Sequence, residues 1–246
     1  DQWANAFDLS YEDPEGNTKP CHQTTFGMSE RLLGAVVGMH GDDKGLILPP
    51  SISPFQVVIM PIASHKDKNV ITAAEEIYEQ LLSRGIRANL DSRDVRPGVK
   101  HYDWEIKGVP IRVELGPRDI SSGKCITTMR TGGKSEINLE DAPQKIIEML
   151  DVLSDELRNR ASSMISDLVK PFPLETISED QNLRSIIDDG IVYEIAFNGN
   201  DSDAEFLEKR LGLTLLGKCD ESFDKERKCI VTGESTFNRC FIARMY

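Results

Sequence analysis

The stretch after Gly27 places Arg31 in the first turn of an otherwise apolar helical run, with Ser29 two residues earlier. Peptide dipoles already make the start of a helix electropositive, so a cation there is unfavourable unless an anion binds. Helix-start N–H groups and the arginine fork both bind phosphate. The pattern indicates an anion site at Arg31. The alternative is an ion pair between Arg31 and a nearby carboxylate, Glu30 or Asp43.

A second stretch, residues 92–119, mixes charged and aromatic side chains. This stretch lies within residues 53–124, which hold 11 basic and 10 acidic residues, whereas the whole chain has a net charge of −12. A surface that bound only phosphates would not be expected to carry acidic side chains, because these repel phosphate. Arginine and glutamate together suit the reading of base edges, because arginine donates to guanine and glutamate accepts from amino groups. The alternative is a solvated face of salt bridges. The basic members are Arg93, Arg96, Lys100, Lys107, Arg112 and Arg118, and the acidic ones are Asp94, Asp103, Glu105 and Asp119.

Hydrolytic and metal chemistry find no support in the residue spacing. The chain has no HExxH, GxSxG or Walker motif, and its four histidines share no ligand spacing. Cys219, Cys229 and Cys240 are too far apart in sequence for the close pairs that structural zinc uses. An odd, scattered set of five cysteines indicates a reducing compartment.

The elements that position the first stretch are a hairpin and a helix. A strand over residues 18–26 closes a hairpin around the turn EDPEGN. We expect Ser29 to cap the following helix, Gly41 to end it as a C′ residue, and residues 46–54 to form a proline-rich linker. The apolar spacing predicts a helix that is buried on most sides, through Leu32, Leu33, Val36, Val37 and Met39.

The second stretch belongs to an alternation of strands and helices. Strands are predicted over residues 55–62, 86–91 and 109–116, a hairpin over 124–139, and helices over 70–85, 102–107 and about 143–169. In the first of these helices Val70, Ile77, Leu81 and Leu82 should face inward and Gly85 should end it. This order predicts a mixed α/β sheet covered by helices. A small acidic unit follows, and no apolar run approaches a membrane span.

The quoted residues carry a close resemblance to a known family. HQTTFGMSERLLGAVVGMHGDDKGLILPP is similar to motif 3 of class II aminoacyl-tRNA synthetases. HGDDKGLILPPSISPFQVVIMPI and DSRDVRPGVKHYDWEIKGVPIRVELGPRD resemble prolyl-tRNA synthetases of the archaeal and eukaryote-like type. The resemblance covers nearly the whole chain. It implies a ligase that attaches proline to tRNA(Pro) through prolyl-adenylate.

The resemblance assigns roles to individual residues. Arg31 matches the motif 3 arginine that holds the ATP phosphates, and Ser29 matches a position that contacts the amino-acid substrate. Glu105, Arg112 and Arg118 match the residues that read the guanines of the proline anticodon. The implied partners are L-proline, ATP with Mg²⁺, and tRNA(Pro). The family also implies a cytoplasmic homodimer that does not bind membranes.

The implied domains are the end of an antiparallel class II catalytic domain (residues 1–52), an α/β anticodon-binding domain (53–152), a helical linker (153–174) and a small α+β domain (175–246). Motifs 1 and 2 lie upstream in the family, so the chain resembles a C-terminal half and is expected to be inactive without the other half. The alternatives are a non-catalytic tRNA-binding or regulatory paralogue, and an interaction domain that binds protein.

One departure from the family concerns zinc. Many relatives carry four zinc cysteines in the last domain, whereas Asn198, Asp203 and Thr232 stand at three of those positions here and only Cys229 remains. We therefore expect a last domain that is held by its core and binds no zinc.

Overall fold

The computed structural model describes residues 2–65, 67–177 and 187–245, except for the side chain of Gln2. The chain divides into two compact units, Asp1–Leu150 and Asp151–Tyr246. The first unit contains α1 (Gln2–Ala6), β1 (Ser10–Glu12), β2 (Thr18–Pro20), α2 (Arg31–His40), β3 (Val57–Pro61), α3 (Asn69–Ser83), β4 (Ala88–Leu90), α4 (Pro97–Ile106), β5 (Ile111–Leu115), α5 (Pro117–Ser121), β6 (Lys124–Met129), β7 (Gly132–Asn138) and the start of α6 (Ala142–Leu168).

A five-stranded mixed sheet forms the centre of the first unit. Its order is β4-β3-β5-β6-β7, with β3 parallel to both neighbours and β6 antiparallel to β5 and β7. All five residues of β3 are buried, as expected for a central strand that is covered on both faces. The mixed α/β prediction is confirmed.

The helices divide between the two faces of this sheet. Helices α3 and α6 pack on the face that carries Val57, Ile59 and Val113. Trp104 of α4 packs with Val58 and Met60 on the opposite face. The long helix over about 143–169 and the hairpin over 124–139 form as predicted. Leu82 was expected to face inward, but it is exposed, because it lies beyond the edge of the stripe formed by Val70, Ile77 and Leu81.

Helix α4 is anchored to the sheet through Asp91, the residue that follows β4. The buried Asp91 carboxylate accepts hydrogen bonds from Trp104 Nε1 at 2.7 Å and from Arg93 Nη2 at 2.7 Å, while its backbone carbonyl accepts from Lys100 Nζ at 2.7 Å. Burial acts to raise the pKa of Asp91, but the bonds from Arg93 and Trp104 outweigh it and lower the pKa to about 2. Helix α4 begins at Pro97, earlier than predicted, because proline is favoured in the first turn of a helix.

Several expectations for residues 18–41 are wrong. The second hairpin strand ends at Pro20 rather than at residue 26. Helix α2 begins at Arg31 after Glu30, whose backbone is already helical, so Ser29 is not its N-cap. Gly41 is the C-cap and has a φ of −57°, so no left-handed residue ends the helix. Leu32, Leu33 and Val37 are exposed, and His40 is the buried residue of this helix.

The segment that leads from α2 to the sheet is packed against the end of α4 and the residues that follow it. Gly45 has a φ of +135°, and a Cβ there would lie 2.5 Å from the backbone of Ile106. Gly108 has a φ of +68°, and a Cβ there would meet the Leu46 carbonyl at 2.5 Å. Leu46 N–H also donates to Ile106 at 3.0 Å. The predicted linker is thus fixed in place, and Arg87 holds its last part by donating to the carbonyl oxygens of residues 50, 51 and 53.

The second unit is a small α+β assembly. It contains β8 (Val169–Pro171), β9 (Val192–Ala196), α7 (Asp201–Leu211), β10 (Thr214–Lys218), β11 (Arg227–Lys228), β12 (Ser235–Thr236) and β13 (Arg239–Ala243). The main sheet has the order β10-β13-β9-β8 and packs with α7 around a core that includes Phe197, Leu207 and Ile242. Strand β8 belongs to this sheet although it precedes residue 175, the predicted start of the last domain. The boundaries of the four predicted domains remain a prediction.

The Asp91→Asn variant tests the anchor of α4. We expect the free energy of unfolding to fall by about 2–4 kcal/mol at pH 7, because the variant removes the buried negative charge that pairs with Lys100 and Arg93. The pKa of Asp91 is lower in the folded chain than in the unfolded one, so its ionisation stabilises the fold above pH 4 and this contribution is lost towards pH 2. The difference between wild type and variant in urea unfolding should therefore narrow on acidification.

The exposed neighbour Asp94 provides the matched control, because it carries the same charge and makes no ion pair within the part of the chain that the structure describes. Asp94→Asn should change the free energy of unfolding by less than about 0.5 kcal/mol. Equal effects of the two variants would contradict the anchoring role of Asp91.

Candidate functional site

A cavity at the amino-terminal edge of β5 brings together two of the three predicted anticodon-reading residues. Glu105 lies near the end of α4 and Arg112 lies on β5, and both line a cavity of about 250 Å³. Strand β6, the neighbour of β5 in the sheet, also lines the cavity through Thr128 and Met129. A carboxylate and a guanidinium thus share one concave surface of the size of a small ligand or a single base.

Arg112 has hydrogen-bonding capacity that the described residues do not use. Its Nη1 donates to the His101 carbonyl at 3.3 Å, but its buried Nε has no hydrogen-bond partner among residues 2–65, 67–177 and 187–245. A buried donor without an acceptor is costly, and such groups often mark a place where a ligand binds. The guanidinium is therefore ready to receive an acceptor from outside the chain.

Asp42 and Lys44 also line the cavity. The sequence alone does not predict that they lie beside Glu105. Arg130 binds Asp42 through both Nη atoms, at 2.9 and 2.5 Å, and its Nε donates to the Glu105 carbonyl at 3.1 Å. The hydrogen bonds from Arg130 lower the pKa of Asp42 to about 2. Lys44 Nζ lies 4.0 Å from the Glu105 carboxylate. Nothing in the local sequence pattern signals the Asp42–Arg130 pair, because its members lie 88 residues apart.

Arg118 lies elsewhere. It belongs to α5, which follows the carboxyl end of β5, and its side chain is exposed. The cavity that contains Glu105 and Arg112 lies at the other end of the same strand. The structure thus brings Glu105 and Arg112 together and leaves Arg118 outside this cavity.

Arg31 and Ser29 are both exposed at the start of α2. The alternative for Arg31 was an ion pair with Glu30 or Asp43. No such pair forms among the residues that the structure covers. The guanidinium of Arg31 is therefore available to an anion beside the free N–H groups of the helix start.

Comparison with known proteins agrees with this geometry. A family described as "Anticodon binding domain" matches residues 56–149, the range that contains Glu105 and Arg112. Proline–tRNA ligase of Methanobrevibacter smithii is 37% identical over 247 residues, covering 99% of this chain and 52% of the relative. The ligase of Thermococcus kodakarensis is 38% identical over 252 residues, with 99% and 51% covered. That of Pyrococcus abyssi is 40% identical over 217 residues, with 87% and 44% covered.

Nearly the whole chain is homologous to proline–tRNA ligases. It spans about half the length of the curated relatives that it matches. The family expectation drawn from the motifs is therefore confirmed, and so is the presence of an anticodon-binding domain in the α/β unit. No helix in the described ranges is long and apolar enough to cross a membrane.

Three of the four positions where proline–tRNA ligases were expected to carry zinc cysteines form a hydrogen-bonded cluster here. Asn198 N–H lies 3.5 Å from the buried Cys229 sulfur, and the Thr232 hydroxyl donates to the Asn198 side chain at 3.1 Å. Burial acts to raise the pKa of the Cys229 thiol, but hydrogen bonds from Thr232 and from the Asn198 backbone outweigh it and lower the pKa.

Asp203, the fourth of these positions, does not join the cluster. Its carboxylate accepts from Asn200 N–H at 2.9 Å and its own N–H donates to the Asn200 side chain at 3.1 Å, which caps α7. Within the described residues no three histidine, cysteine or acidic side chains are placed to hold a metal ion. These residues do not fit a tetrahedral zinc site, which needs four strong ligands.

We expect the purified chain to contain far less than stoichiometric zinc, because one thiol, an amide and a hydroxyl cannot replace four thiolates. Elemental analysis of protein prepared in zinc-supplemented medium measures this. A control preparation of the Asn198→Cys/Asp203→Cys/Thr232→Cys variant reports whether a restored ligand set captures the ion. One zinc per wild-type chain would contradict the prediction.

Proposed function

We propose that this chain supplies motif 3 and the anticodon-reading surface of a proline–tRNA ligase, which joins proline to tRNA(Pro) at the expense of ATP. The observation that carries the proposal is the shared cavity of Glu105 and Arg112, with a buried Arg112 donor that has no partner in the described residues. The similarity of the chain to proline–tRNA ligases supports an anticodon base as the ligand of this cavity.

The chemistry of the cavity is complementary to guanine. Arginine donates to the O6 and N7 acceptors of guanine, and a carboxylate accepts from its amino group. A carboxylate repels phosphates, so Glu105 can favour RNA only through a base or ribose donor. The cavity therefore fits the reading of bases better than general binding of the RNA backbone. Arg118 would contact the RNA beyond the other end of β5.

Arg31 is proposed to bind the phosphates of ATP. In the first reaction the proline carboxylate attacks the α-phosphate of ATP, which gives prolyl-adenylate and pyrophosphate. In the second a ribose hydroxyl of the tRNA attacks the prolyl carbonyl of the adenylate, which forms prolyl-tRNA and releases AMP. Arg31 stabilises the negative charge on the phosphates, and Ser29 is proposed to contact proline. ATP is expected to bind with Mg²⁺, which adds positive charge at the phosphates.

The surface around α2 supports a catalytic site that other residues of the protein complete. Phe26 and Met28 are 93% and 81% exposed, and Leu32, Leu33 and Val37 of α2 are also exposed. Several exposed apolar side chains within one short segment are typical of an interface. We propose that the remainder of the catalytic domain packs there. A cytoplasmic location and a homodimer are further expectations from the family.

The Arg112→Ala variant should bind tRNA(Pro) more weakly than wild type by about 1–3 kcal/mol. Its affinity for a tRNA already altered at the guanine that Arg112 reads should be nearly the same as that of wild type. Filter binding of both tRNAs at several salt concentrations measures this. Glu105→Gln should reduce the discrimination between the two tRNAs more than it reduces the affinity for tRNA(Pro). Arg84→Ala, on the opposite face of the sheet, is the control and should change neither.

A contact of Arg112 with phosphate alone has a different signature. It predicts equal weakening for both tRNAs and a salt dependence that is smaller by about one unit of slope. That result would remove base reading from the proposal and would leave general electrostatic docking.

In the whole enzyme, Arg31→Ala should slow prolyl-adenylate formation about a hundredfold, or about 3 kcal/mol, because a charged contact to the transition state is lost. Proline-dependent pyrophosphate exchange gives the rate. Circular dichroism should be unchanged, since the Arg31 side chain makes no contact that the structure records. Exchange within about threefold of wild type would refute the assignment.

A further inference from the structure

A second cavity lies at the opposite edge of the five-stranded sheet, away from Glu105 and Arg112. It has a volume of about 660 Å³ and is lined by the loops that follow β3 and β4 and by the first turns of α3 and α4. None of its lining residues belongs to the first cavity. We call it the switch-point crevice, and its lining comprises residues 61–65, Lys68, Ile71, residues 92–97 and Lys100.

The topology of the sheet explains why the crevice exists. Strands β3 and β4 are parallel neighbours, so their carboxyl ends meet at one edge. The chain leaves β3 into α3 on one face of the sheet and leaves β4 into α4 on the other face. The two loops therefore diverge and leave a gap between them. In open α/β sheets ligands bind at such switch points.

The charge of the crevice selects an anion. Four lining side chains are basic, namely Lys68, Arg93, Arg96 and Lys100, and one, Asp94, is acidic. Arg93 is already paired with Asp91 and Asp103. The side chains of Lys68 and Arg96 are exposed and make no hydrogen bond or ion pair with any residue in the described ranges. Both sit at helix starts, where the dipole adds to the positive potential.

Lys100 adds a buried donor at the floor of the crevice. Its side chain is 4% exposed, and its ammonium group donates to the carbonyl oxygens of Asp91 at 2.7 Å and Pro61 at 3.4 Å. An ammonium has three N–H donors, so one remains after these two bonds. The apolar walls, which include Ile71, Val95 and Pro97, offer a surface for a flat ring.

We propose that the switch-point crevice binds a nucleotide, with its phosphate against Lys68, Arg96 and Lys100 and its base against the apolar wall. The nucleotide is either a unit of an RNA strand or a free mononucleotide, since both present the same phosphate and ring. The site goes beyond the proposed anticodon cavity and does not depend on it. Arg118 lies at the same sheet edge, beyond the end of β5, so an RNA strand that reached Arg118 would approach the crevice.

The test compares wild type with the Lys68→Gln/Arg96→Gln variant, which removes two exposed charges and no contact that the structure records. The probes are AMP, inorganic phosphate and a proline anticodon stem-loop RNA. The matched control, Arg84→Gln/Lys145→Gln, removes the same charge elsewhere in the unit. We expect the crevice variant to bind the RNA or AMP at least about tenfold more weakly, and the control to bind like wild type.

The pattern of losses identifies the source of the nucleotide. Loss of AMP and phosphate binding indicates a free mononucleotide. Loss confined to RNA, with a salt slope reduced by about two, indicates two backbone phosphates of the strand. Unchanged binding of all three probes refutes the crevice. Arg112→Ala separates the two sites, because it should leave AMP binding intact even if the anticodon assignment is wrong.

Discussion

The buried carboxylate of Asp91 is the contact on which the geometry of the first unit depends. It ties β4 to α4 through Trp104 and sets the turn that Arg93 follows. The two ends of α4 serve different surfaces, because Arg96 and Lys100 face the switch-point crevice and Glu105 faces the cavity on β5. A single charged group beneath the middle of this helix therefore sets the position of both surfaces at once. Since a buried carboxylate is stable only when it is fully hydrogen-bonded, this arrangement tolerates little change.

Local charge, rather than net charge, determines which surfaces of this acidic chain can meet RNA. The chain has a net charge of −12, yet many of its acidic groups near the proposed sites are engaged with cations of the same unit. Asp42 is bound by Arg130, and Asp91 and Asp103 by Arg93. Glu105 keeps a more open environment, with Lys44 at 4.0 Å. Pairing thus engages acids near Arg112, Arg96 and Lys68 with other cations and leaves these three able to act on a ligand.

Much of the fold could be predicted because periodicity and turn residues are local signals. The apolar run 57–61 and the spacing of Val70, Ile77 and Leu81 specify a buried strand and its covering helix without reference to the rest of the chain. The predicted burial of α2 was wrong because apolar spacing reports which face a helix would bury, not whether a partner is present. Of the sites, Glu105 and Arg112 were accessible through motif resemblance. The Asp42–Arg130 pair could not be predicted in this way, because its members are distant in sequence. The switch-point crevice could not be predicted either, because it arises from the topology of the chain.

The packing of Gly45 against Ile106 and of Gly108 against Leu46 has a consequence for the connector between α2 and the sheet. Connectors of this kind usually accommodate insertions and deletions, since their backbone is free to bulge into solvent. Here backbone contacts at both glycines fix the path, so one added residue would shift Asp42 away from Arg130. The length of residues 41–48 is therefore constrained like that of a secondary-structure element, and variation among homologous chains should be sparse in this stretch and should concentrate in turns such as the one at residues 12–17.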